Sequence, residues 1–418
     1  MRLNIPRIAA FFVCVIALFW FIPNFYGKAT RVDRFSLSGM FSPTLKEFII
    51  WEIGADKMVY KNEKGEVLNT VEAQKNMPFL FSSSVSKWGG FPLTIDNQTF
   101  TYDDARKNTQ AMRLSPRYVF SEPLPIHMLL ESSPKGASLE ASNDVVVFKQ
   151  DRLDFIYTAN GTKNIEKSKQ FTKSLLNAGL VFPIKFIATN PSTLKSFDEG
   201  MLFIDSKNKV YHLKMIKGEP SVRDTEVNIP DTPLYISLSE NERKLYYGLI
   251  ATNKDVYMYT YEDKLLRLPL DNFNPKDNSL ALRFTPLYQT IIKNDLTKRD
   301  APIEYTATDL DFNSLHVNNQ TFPENILDKF SLNDKGLSIL TPFVIKQYTY
   351  DTVQTVFDIK LSPSLLFVFL GILFAEILYF AHIFFWKIKL DKTAPILILF
   401  SGIPGLIAIL LFGPISKK

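Results

Sequence analysis

The stretch Phe203–Lys214 reads FIDSKNKVYHLK, and Leu249–Thr260 reads LIATNKDVYMYT. Each consists of an apolar run, a polar turn, and a second run that contains Val-Tyr at its start. Two short runs of β-branched and aromatic residues around such a turn are typical of a β-hairpin. Because the two stretches also match each other, they indicate both an antiparallel β-protein and an internal repeat.

Further stretches of the same kind predict four more hairpins: Met58–Leu68, Leu93–Tyr102, Val146–Tyr157 and Ile291–Tyr305. Apart from the second of these, the turns follow one another at roughly the 40–50 residues of one propeller blade. We therefore predict a mainly β domain, β-propeller-like, with roughly six to eight irregular blades. Two antiparallel sandwich domains with accidental spacing are the alternative. Two segments are predicted to be helical instead: Tyr102–Leu114 and Asn164–Ala178.

An apolar segment near the N-terminus, Ile8–Ile22, follows Arg2 and Arg7. A cleaved signal peptide needs small residues before the cut, whereas this segment ends in bulky ones. A lipoprotein reading of Cys14 fails for the same reason, because the residues before it are also bulky. The segment is therefore predicted to be an uncleaved transmembrane anchor.

Two more apolar segments lie near the C-terminus, at about 364–386 and at 394–412. The first matches the ~20 residues that span a bilayer as a helix. Ser362 suits its N-cap and Pro363 its first helical position. The second contains Ser-Gly-Ile-Pro-Gly at its centre, which must kink or break a helix. It is either a kinked span or a re-entrant segment.

The Lys/Arg bias predicts which side of the membrane each part occupies. It places the N-terminus and the loop at 387–392 in the cytoplasm, and Lys417 and Lys418 outside if the last segment spans. We predict an N-terminal transmembrane anchor at 1–27, a periplasmic β-propeller-like domain at 28–360, and two C-terminal transmembrane helices at 361–418. Cys14 is the single cysteine, so the exported part has no disulfides, which favours a bacterial inner-membrane protein facing the periplasm.

Composition and motifs exclude several functions. The net charge of +5 is spread thinly, without a run of basic residues, so nucleic acid is not expected as a partner. No nucleotide, metal or catalytic motif is present, so neither an enzyme nor a cofactor is predicted. Glu376 lies in the middle of an apolar segment, and Tyr379 shares its helix face. These two are candidate helix-docking residues, because an intramembrane carboxyl usually faces protein or water.

The chain from Ser168 to Pro220 resembles an uncharacterised family of Bacteroidetes membrane proteins, domain-of-unknown-function family 4857. The resemblance is carried by the following residues: Ser168-Lys169-Gln170-Phe171-Thr172, Phe182-Pro183, Asn190-Pro191, Asp198-Glu199-Gly200, His212-Leu213-Lys214, Gly218 and Pro220. Thr189 and Ser192 depart modestly from the family pattern around Asn-Pro. Asp198, Glu199, Gly200, His212 and Lys214 fall on the two strands of one predicted hairpin. They are therefore the candidate ligand residues.

The resemblance also implies a functional context, because members of that family are often encoded near ABC-transporter genes. We expect a membrane-anchored periplasmic binding or scaffold protein that is an accessory component of an ABC-transporter-linked envelope system. Its expected partner is the membrane permease subunit. The alternative is a periplasmic envelope hydrolase with an unrecognised site on a propeller face. A sensor or structural protein is a further alternative, although no cytoplasmic domain is predicted to receive a signal.

Overall fold

The computed structural model describes residues 5–31, 35–54, 57–120, 125–298, 300–349 and 355–412. Most regular elements in these ranges are β-strands, and three apolar helices lie towards the ends of the chain. This confirms the prediction of a mainly β protein with three apolar helices. The chain divides into two compact units: a larger one of Ser38–Trp51 and Val59–Thr321, and a smaller one of Met1–Leu37, Glu52–Met58 and Phe322–Lys418. The predicted limits of the outer domain, 28–360, stay a prediction.

Five sheets of four or five strands occur in the described residues, and their strands are mostly neighbours in chain order. Sheet A contains β1 Ser36–Phe41, β2 Phe48–Ile53, β3 Met58–Lys61 and β4 Val67–Leu68. Sheet B contains β8 Ile126–His127, β9 Asp144–Phe148, β10 Leu153–Tyr157 and β11 Lys163–Asn164. Sheet C contains β12 Phe186–Thr189, β13 Met201–Ile204, β14 Lys209–Ile216 and β15 Glu219–Asn228.

Sheet D contains β16 Pro233–Ile236, β17 Tyr246–Thr252, β18 Val256–Thr260 and β19 Leu265–Arg267. Sheet E contains β7 Gln110–Leu114, β20 Asn278–Phe284, β21 Gln289–Asp295, β22 Ile303–Thr308 and β23 Ser314–Gln320. Two separate hairpins are the remaining strands of the described ranges: β5 Leu93–Ile95 with β6 Gln98–Phe100, and β24 Phe343–Thr349 with β25 Thr355–Leu361. All six hairpins predicted from the sequence are confirmed by these strands and turns.

Apolar side chains join consecutive sheets of the larger unit. Sheets B and C share a cluster that includes Phe155 and Phe203, and sheets C and D share one that includes Leu202 and Ile250. A third cluster packs sheet D against sheet E. Sheets C and D are therefore buried on both faces, which is why β13, β17 and β18 are continuous apolar runs without polar alternation. The described five sheets are fewer than the six to eight blades expected from the sequence.

Within the described residues six helices accompany the strands: α2 Thr70–Lys75, α3 Ser82–Lys87, α4 Tyr102–Lys107, α5 Pro116–Val119, α6 Ile165–Asn177 and α7 Glu324–Leu340. The predicted helix at Asn164–Ala178 is confirmed as α6, since Asn164 and Ala178 are its two caps. The predicted helix at Tyr102–Leu114 is only half right. A capping box at Thr101 and Asp104 starts α4, but the chain then turns into β7, whose alternating side chains pair with β20.

In the part of the chain that the structure describes, three helices are long and apolar enough to cross a membrane: α1 Ile5–Thr30, α8 Leu365–Trp386 and α9 Thr393–Phe412. Ser364, not Ser362, is the N-cap of α8, so Pro363 lies before the helix and not at its first position. The hydroxyl of Ser362 instead donates to the carbonyl of Thr341 at 2.5 Å. The predicted kink in α9 lies at Gly402, which has a left-handed φ of 60°. Lys417 and Lys418, which bear on the predicted topology, lie outside the described residues.

Candidate functional site

The five candidate ligand residues lie together on sheet C. Asp198, Glu199 and Gly200 directly precede β13, and His212 and Lys214 lie on its antiparallel neighbour β14. The register pairs Leu202 with His212, which brings the two motifs side by side. Asp198, Glu199 and His212 are each about 5% exposed or less. The hairpin therefore places these motifs in the interior of the larger unit.

Lys195 forms the centre of this site, although the sequence did not single it out. Its ammonium donates to Asp198 Oδ1, Glu240 Oε1 and the carbonyl of Asn190, each at 2.6 Å. An ammonium has three N–H donors, so all of them are used. The side chains of Lys195, Asp198 and Glu240 are 7%, 2% and 0% exposed. We call Asn190, Lys195, Asp198 and Glu240 the Lys195 cluster.

The carboxylates of the Lys195 cluster accept further hydrogen bonds. Asp198 Oδ2 accepts from the hydroxyl of Ser132 at 2.6 Å and from the backbone N–H of Gly200 at 3.0 Å. Glu240 accepts from the amide of Asn190 at 2.6 Å and from the backbone N–H of Glu199 at 2.7 Å. Burial raises the pKa of Glu240 above its ordinary value, although the N–H of Glu199 and the ammonium of Lys195 oppose this. The Lys195 cluster thus connects the loop before β13 with the loop before β17, and its bond to Ser132 adds the chain after β8.

Glu199 begins a second set of contacts on the other side of the same turn. Its carboxylate pairs with Lys214 at 2.5 Å, and its backbone carbonyl lies 2.5 Å from His212 Nε2. His212 Nε2 therefore carries the hydrogen, and Nδ1 faces the guanidinium of Arg223 at 3.5 Å. Arg223 in turn pairs with Asp263. These contacts lead from the buried turn towards the surface, because Arg223 is 44% exposed.

A shallow groove of about 540 Å³ begins at this exposed end. Its lining consists of Arg223–Asn228 on β15 together with Glu262 and Asp263 in the β18–β19 turn and Leu265 at the start of β19. Arg223 and Asp263 belong both to the groove and to the contacts that lead from His212. None of the five candidate ligand residues lines the groove. A ligand role for those five stays a prediction, whereas the contacts described here are internal to the protein.

Residues of the family motif outside this hairpin also make structural contacts. Ser168 on α6 accepts a hydrogen bond from the backbone N–H of Phe155 at 2.9 Å. Phe171, fully buried, packs edge-on against Phe155 with ring centroids 4.7 Å apart. Thr172 accepts from the backbone N–H of Leu153 at 3.3 Å. The motif therefore fastens α6 onto β10.

The two candidate helix-docking residues differ in their surroundings. Tyr379 is buried in the cluster formed by α1, α8 and α9, and its hydroxyl donates to the carbonyl of Asp391 at 3.3 Å. Glu376 is half-buried, and within the described residues its Oε2 atom is enclosed without a hydrogen-bond partner. Tyr379 thus stabilises the packing of the chain's own helices, whereas the Glu376 side chain is partly accessible and its enclosed Oε2 atom is unbonded within the described residues.

His212 gives this site a pH dependence. Burial lowers the pKa of His212 below its ordinary value of 6.5, and the hydrogen bond to the carbonyl of Glu199 only partly opposes this. At a pH between the pKa of His212 in the folded state and its pKa in the unfolded state, the unfolded chain binds more protons. The free energy of unfolding therefore falls as the pH is lowered through the ordinary pKa of histidine. We expect the thermal midpoint to fall more in the unaltered protein than in His212→Gln between about pH 7.5 and about pH 5.5.

The comparison with His212→Gln also controls for the titration of Glu240. Protonation of Glu240 stabilises the folded state in acid, because the folded-state pKa of Glu240 is raised, but that contribution is present in both proteins and cancels. Scanning calorimetry at several pH values in one detergent measures the difference. An equal loss of thermal midpoint in both proteins would show that His212 does not carry the effect.

A β-rich protein with three apolar helices and an internally paired polar site is thus the class that these features define. The family model described as domain of unknown function DUF4857 matches residues 38–306. The chain therefore belongs to this family, as the resemblance of Ser168–Pro220 indicated. The family's description gives no activity for the site.

No curated protein matches the chain. Two solved structures of prolyl oligopeptidase B from Galerina marginata, bound to a 35mer and a 25mer substrate, are similar to 78% and 79% of it. The identity is 12% in both cases, and this chain covers 46% and 47% of theirs. Their TM-score of 0.21 gives no support to a shared fold or activity.

Proposed function

We propose that this protein is a membrane-anchored periplasmic binding or scaffold protein of the bacterial inner membrane. Its β-rich unit faces the periplasm, and its membrane helices dock on the permease subunit of an ABC transporter. The proposal follows the expected orientation, in which the positively charged N-terminus and the 387–392 loop are cytoplasmic. The Bacteroidetes source and the transporter association come from the resemblance alone.

The observation that carries the docking proposal is the carboxyl of Glu376. It lies within α8, and its Oε2 atom lacks a hydrogen-bond partner among the described residues. A carboxyl at the centre of a membrane helix costs about 2.5–3.5 kcal/mol and usually faces protein or water. Polar side chains also hold membrane helices together by hydrogen bonds. Glu376 is only half-buried, so a helix of a second protein would bond the part of its carboxyl that the described residues leave accessible.

The β-rich unit suits a scaffold role if its sheets are arranged as propeller blades. Each sheet has four strands that are neighbours in chain order, with one further strand in sheet E, and consecutive sheets pack through apolar faces. Both features agree with a propeller, whose rims present loops for partners. The internally paired contacts of Lys195 would then serve to hold neighbouring blades together. No specific observation favours the hydrolase alternative.

Site-specific photo-crosslinking tests the docking proposal. Phe374 and Phe380 on α8 are each 50% exposed, and they lie about 120° apart around the helix. Phe380 is one turn from Glu376 on the same face. With p-benzoylphenylalanine at Phe380, we expect a crosslink to a multi-pass permease, identified by mass spectrometry of the product in native membranes. The same group at Phe374 is the matched control and should crosslink to lipid.

Substitution of Glu376 tests whether the crosslink from Phe380 depends on the carboxyl. Glu376→Gln keeps a hydrogen-bonding side chain, so the crosslink from Phe380 should persist, whereas Glu376→Leu should reduce it several-fold. A protein that shows no crosslink from Phe380 and purifies alone in mild detergent would contradict the proposal.

A further inference from the structure

A charge-free stretch, Gly336–Ile345, lies between Lys335 and Lys346 and was not among the predicted membrane segments. It begins in the last two turns of α7 and ends in β24. α7 runs antiparallel to the C-terminal end of α1: the hydroxyl of Thr30 donates to Asn333 Oδ1 at 2.8 Å, and Tyr26 lies against Gly336. The chain therefore follows α1 back towards its apolar stretch.

Aromatic packing fixes how far the chain follows α1. Phe343, the first residue of β24, packs edge-on against Phe19 with ring centroids 5.4 Å apart. Phe19 lies inside the apolar segment Ile8–Ile22, about 16 Å along α1 from Thr30. The base of the β24–β25 hairpin is therefore level with the apolar part of α1.

Contacts with α8 and α9 independently place the base of the hairpin beside apolar helix segments. The carbonyl of Ile339 touches Gly371, which lies about 9 Å along α8 from its first residue. A Cβ atom placed on Gly402, at the kink of α9, would lie 3.2 Å from Pro342 Cδ. The end of α7 and the start of β24 thus pack against the first turns of α8 and the kink of α9.

Two buried polar residues at this base, Thr341 and Ser362, have hydrogen-bond partners within the protein, which a membrane environment demands. The backbone N–H of Thr341 donates to Leu337, and that of Ser362 donates to Pro342 at 2.9 Å. The hydroxyls of Thr341 and Ser362 donate to backbone carbonyls at 2.6 and 2.5 Å. Thr341 and Ser362 are 0% and 3% exposed.

One face of the hairpin is covered by protein on β24 and is exposed on β25. Phe343 and Ile345 on β24 pair with Leu361 and Ile359 on β25, so the four side chains share that face. Phe343 packs on α1, whereas Leu361, Ile359 and Phe357 are 60%, 66% and 58% exposed. The intervening residues Asp358 and Lys360 are polar and lie on the other face.

This exposed face continues directly into the apolar surface of α8. Leu361 precedes the exposed Leu365 and Leu366 of the first turn of α8, and those side chains are 67% and 65% exposed. Three alternating apolar residues on an exposed edge strand would promote aggregation in water. Beside a membrane helix the same residues match the boundary between headgroups and acyl chains, as in interfacial amphipathic segments.

We propose that the β24–β25 hairpin is a membrane-interface element. Leu361, Ile359 and Phe357 contact lipid in the leaflet that the first turn of α8 enters, with Leu361 deepest and Phe357 shallowest. Asp358 and Lys360 face the aqueous side. The proposal rests on the membrane-spanning part of the proposed function and is independent of any transporter partner.

Nitroxide accessibility in phospholipid nanodiscs tests this proposal. In a Cys14→Ala background, single cysteines at Leu361, Ile359, Phe357, Lys360 and Phe374 carry the spin label. Collision rates with oxygen, which enters lipid, and with a water-soluble nickel chelate are compared at each position. We expect the oxygen-to-nickel ratio to be highest at Phe374, several-fold higher at Leu361 and Ile359 than at Lys360, and intermediate at Phe357.

The adjacent pair Ile359 and Lys360 is the matched control, since both lie on one strand and only the face differs. A nickel-dominated signal at Leu361 and Ile359, with oxygen dominant at Phe374, would overturn the proposal while leaving the span of α8 intact. Low collision rates with both reagents at Leu361 and Ile359 would also overturn it, because protein would then cover the face. A nickel-dominated signal at Phe374 would instead refute the span itself.

Discussion

Lys195→Met is expected to destabilise the protein more than any other single substitution proposed for it. The change keeps the length of the side chain but removes the cation from between Asp198 and Glu240, whose side chains are 2% and 0% exposed. Removing one partner of a buried ion pair leaves an uncompensated charge and costs about 3–5 kcal/mol. At about 2–4 °C per kcal/mol for a domain of this size, the thermal midpoint should fall by roughly 6–20 °C.

The matched control is Lys264→Met, because the Lys264–Glu262 pair lies at the surface, where the two side chains are 65% and 75% exposed. Exposed ion pairs contribute little, so this variant should unfold at the temperature of the unaltered protein within error. Differential scanning calorimetry in detergent measures both. If Lys195→Met and Lys264→Met have the same thermal midpoint, the Lys195 cluster does not stabilise the fold.

A second change separates charge from shape in the same cluster. Glu240→Gln added to Lys195→Met removes one of the two uncompensated carboxylates, so the double variant should be more stable than Lys195→Met alone. Lowering the pH should also recover part of the loss in the single variant. Burial already raises the pKa of Glu240, and protonation removes its uncompensated charge.

Gly200→Ala is expected to have the second largest effect. Gly200 has a φ of +68°, and a Cβ atom there would collide with the carbonyl oxygen of Leu213 and lie 3.0 Å from Lys214 Cα. The left-handed conformation costs a residue with a side chain about 1–2 kcal/mol. Overpacking against a backbone that cannot move adds typically about 1–3 kcal/mol. The free energy of unfolding should therefore fall by roughly 2–5 kcal/mol.

Gly218→Ala is the control that separates the two causes. Gly218 has a φ of +83° in the β14–β15 turn, and no atom of the described residues lies within 4 Å of a Cβ atom placed there. Only the conformational cost should apply there, so this variant should lose about 1–2 kcal/mol. Denaturant titrations of both variants, followed by the far-ultraviolet signal of the sheets, give the difference. Equal losses would mean that the close approach of β14 to Gly200 adds nothing.

The candidate site was partly visible in the sequence. The motifs Asp198-Glu199-Gly200 and His212-Leu213-Lys214 belong to one hairpin, so local turn chemistry sufficed to predict that they meet. Lys195 and Glu240 were missed because their contact joins two loops before different strands, and no spacing rule connects them. Asn190 was part of the family motif, which was the one available signal for that loop. Its backbone carbonyl and side-chain amide both enter the cluster.

The sequence by itself determined the local elements of this protein. Polar turns between β-branched runs specified the hairpins, Asn164 specified the start of α6, and long apolar runs specified the three apolar helices. These signals are contained within a few residues of each other, because a turn, a cap or a helix needs only its neighbours along the chain.

Only the tertiary structure decided how those elements are used. Gln110–Leu114 became a strand because β20, far along the chain, offers it a partner, which overrode the helical prediction. The repeat Phe203–Lys214 indicated a hairpin, but the burial of both its faces follows from sheets B and D packing on either side. Ion pairs such as Lys195–Glu240 have the same origin. Contacts between distant segments depend on packing that no local pattern encodes.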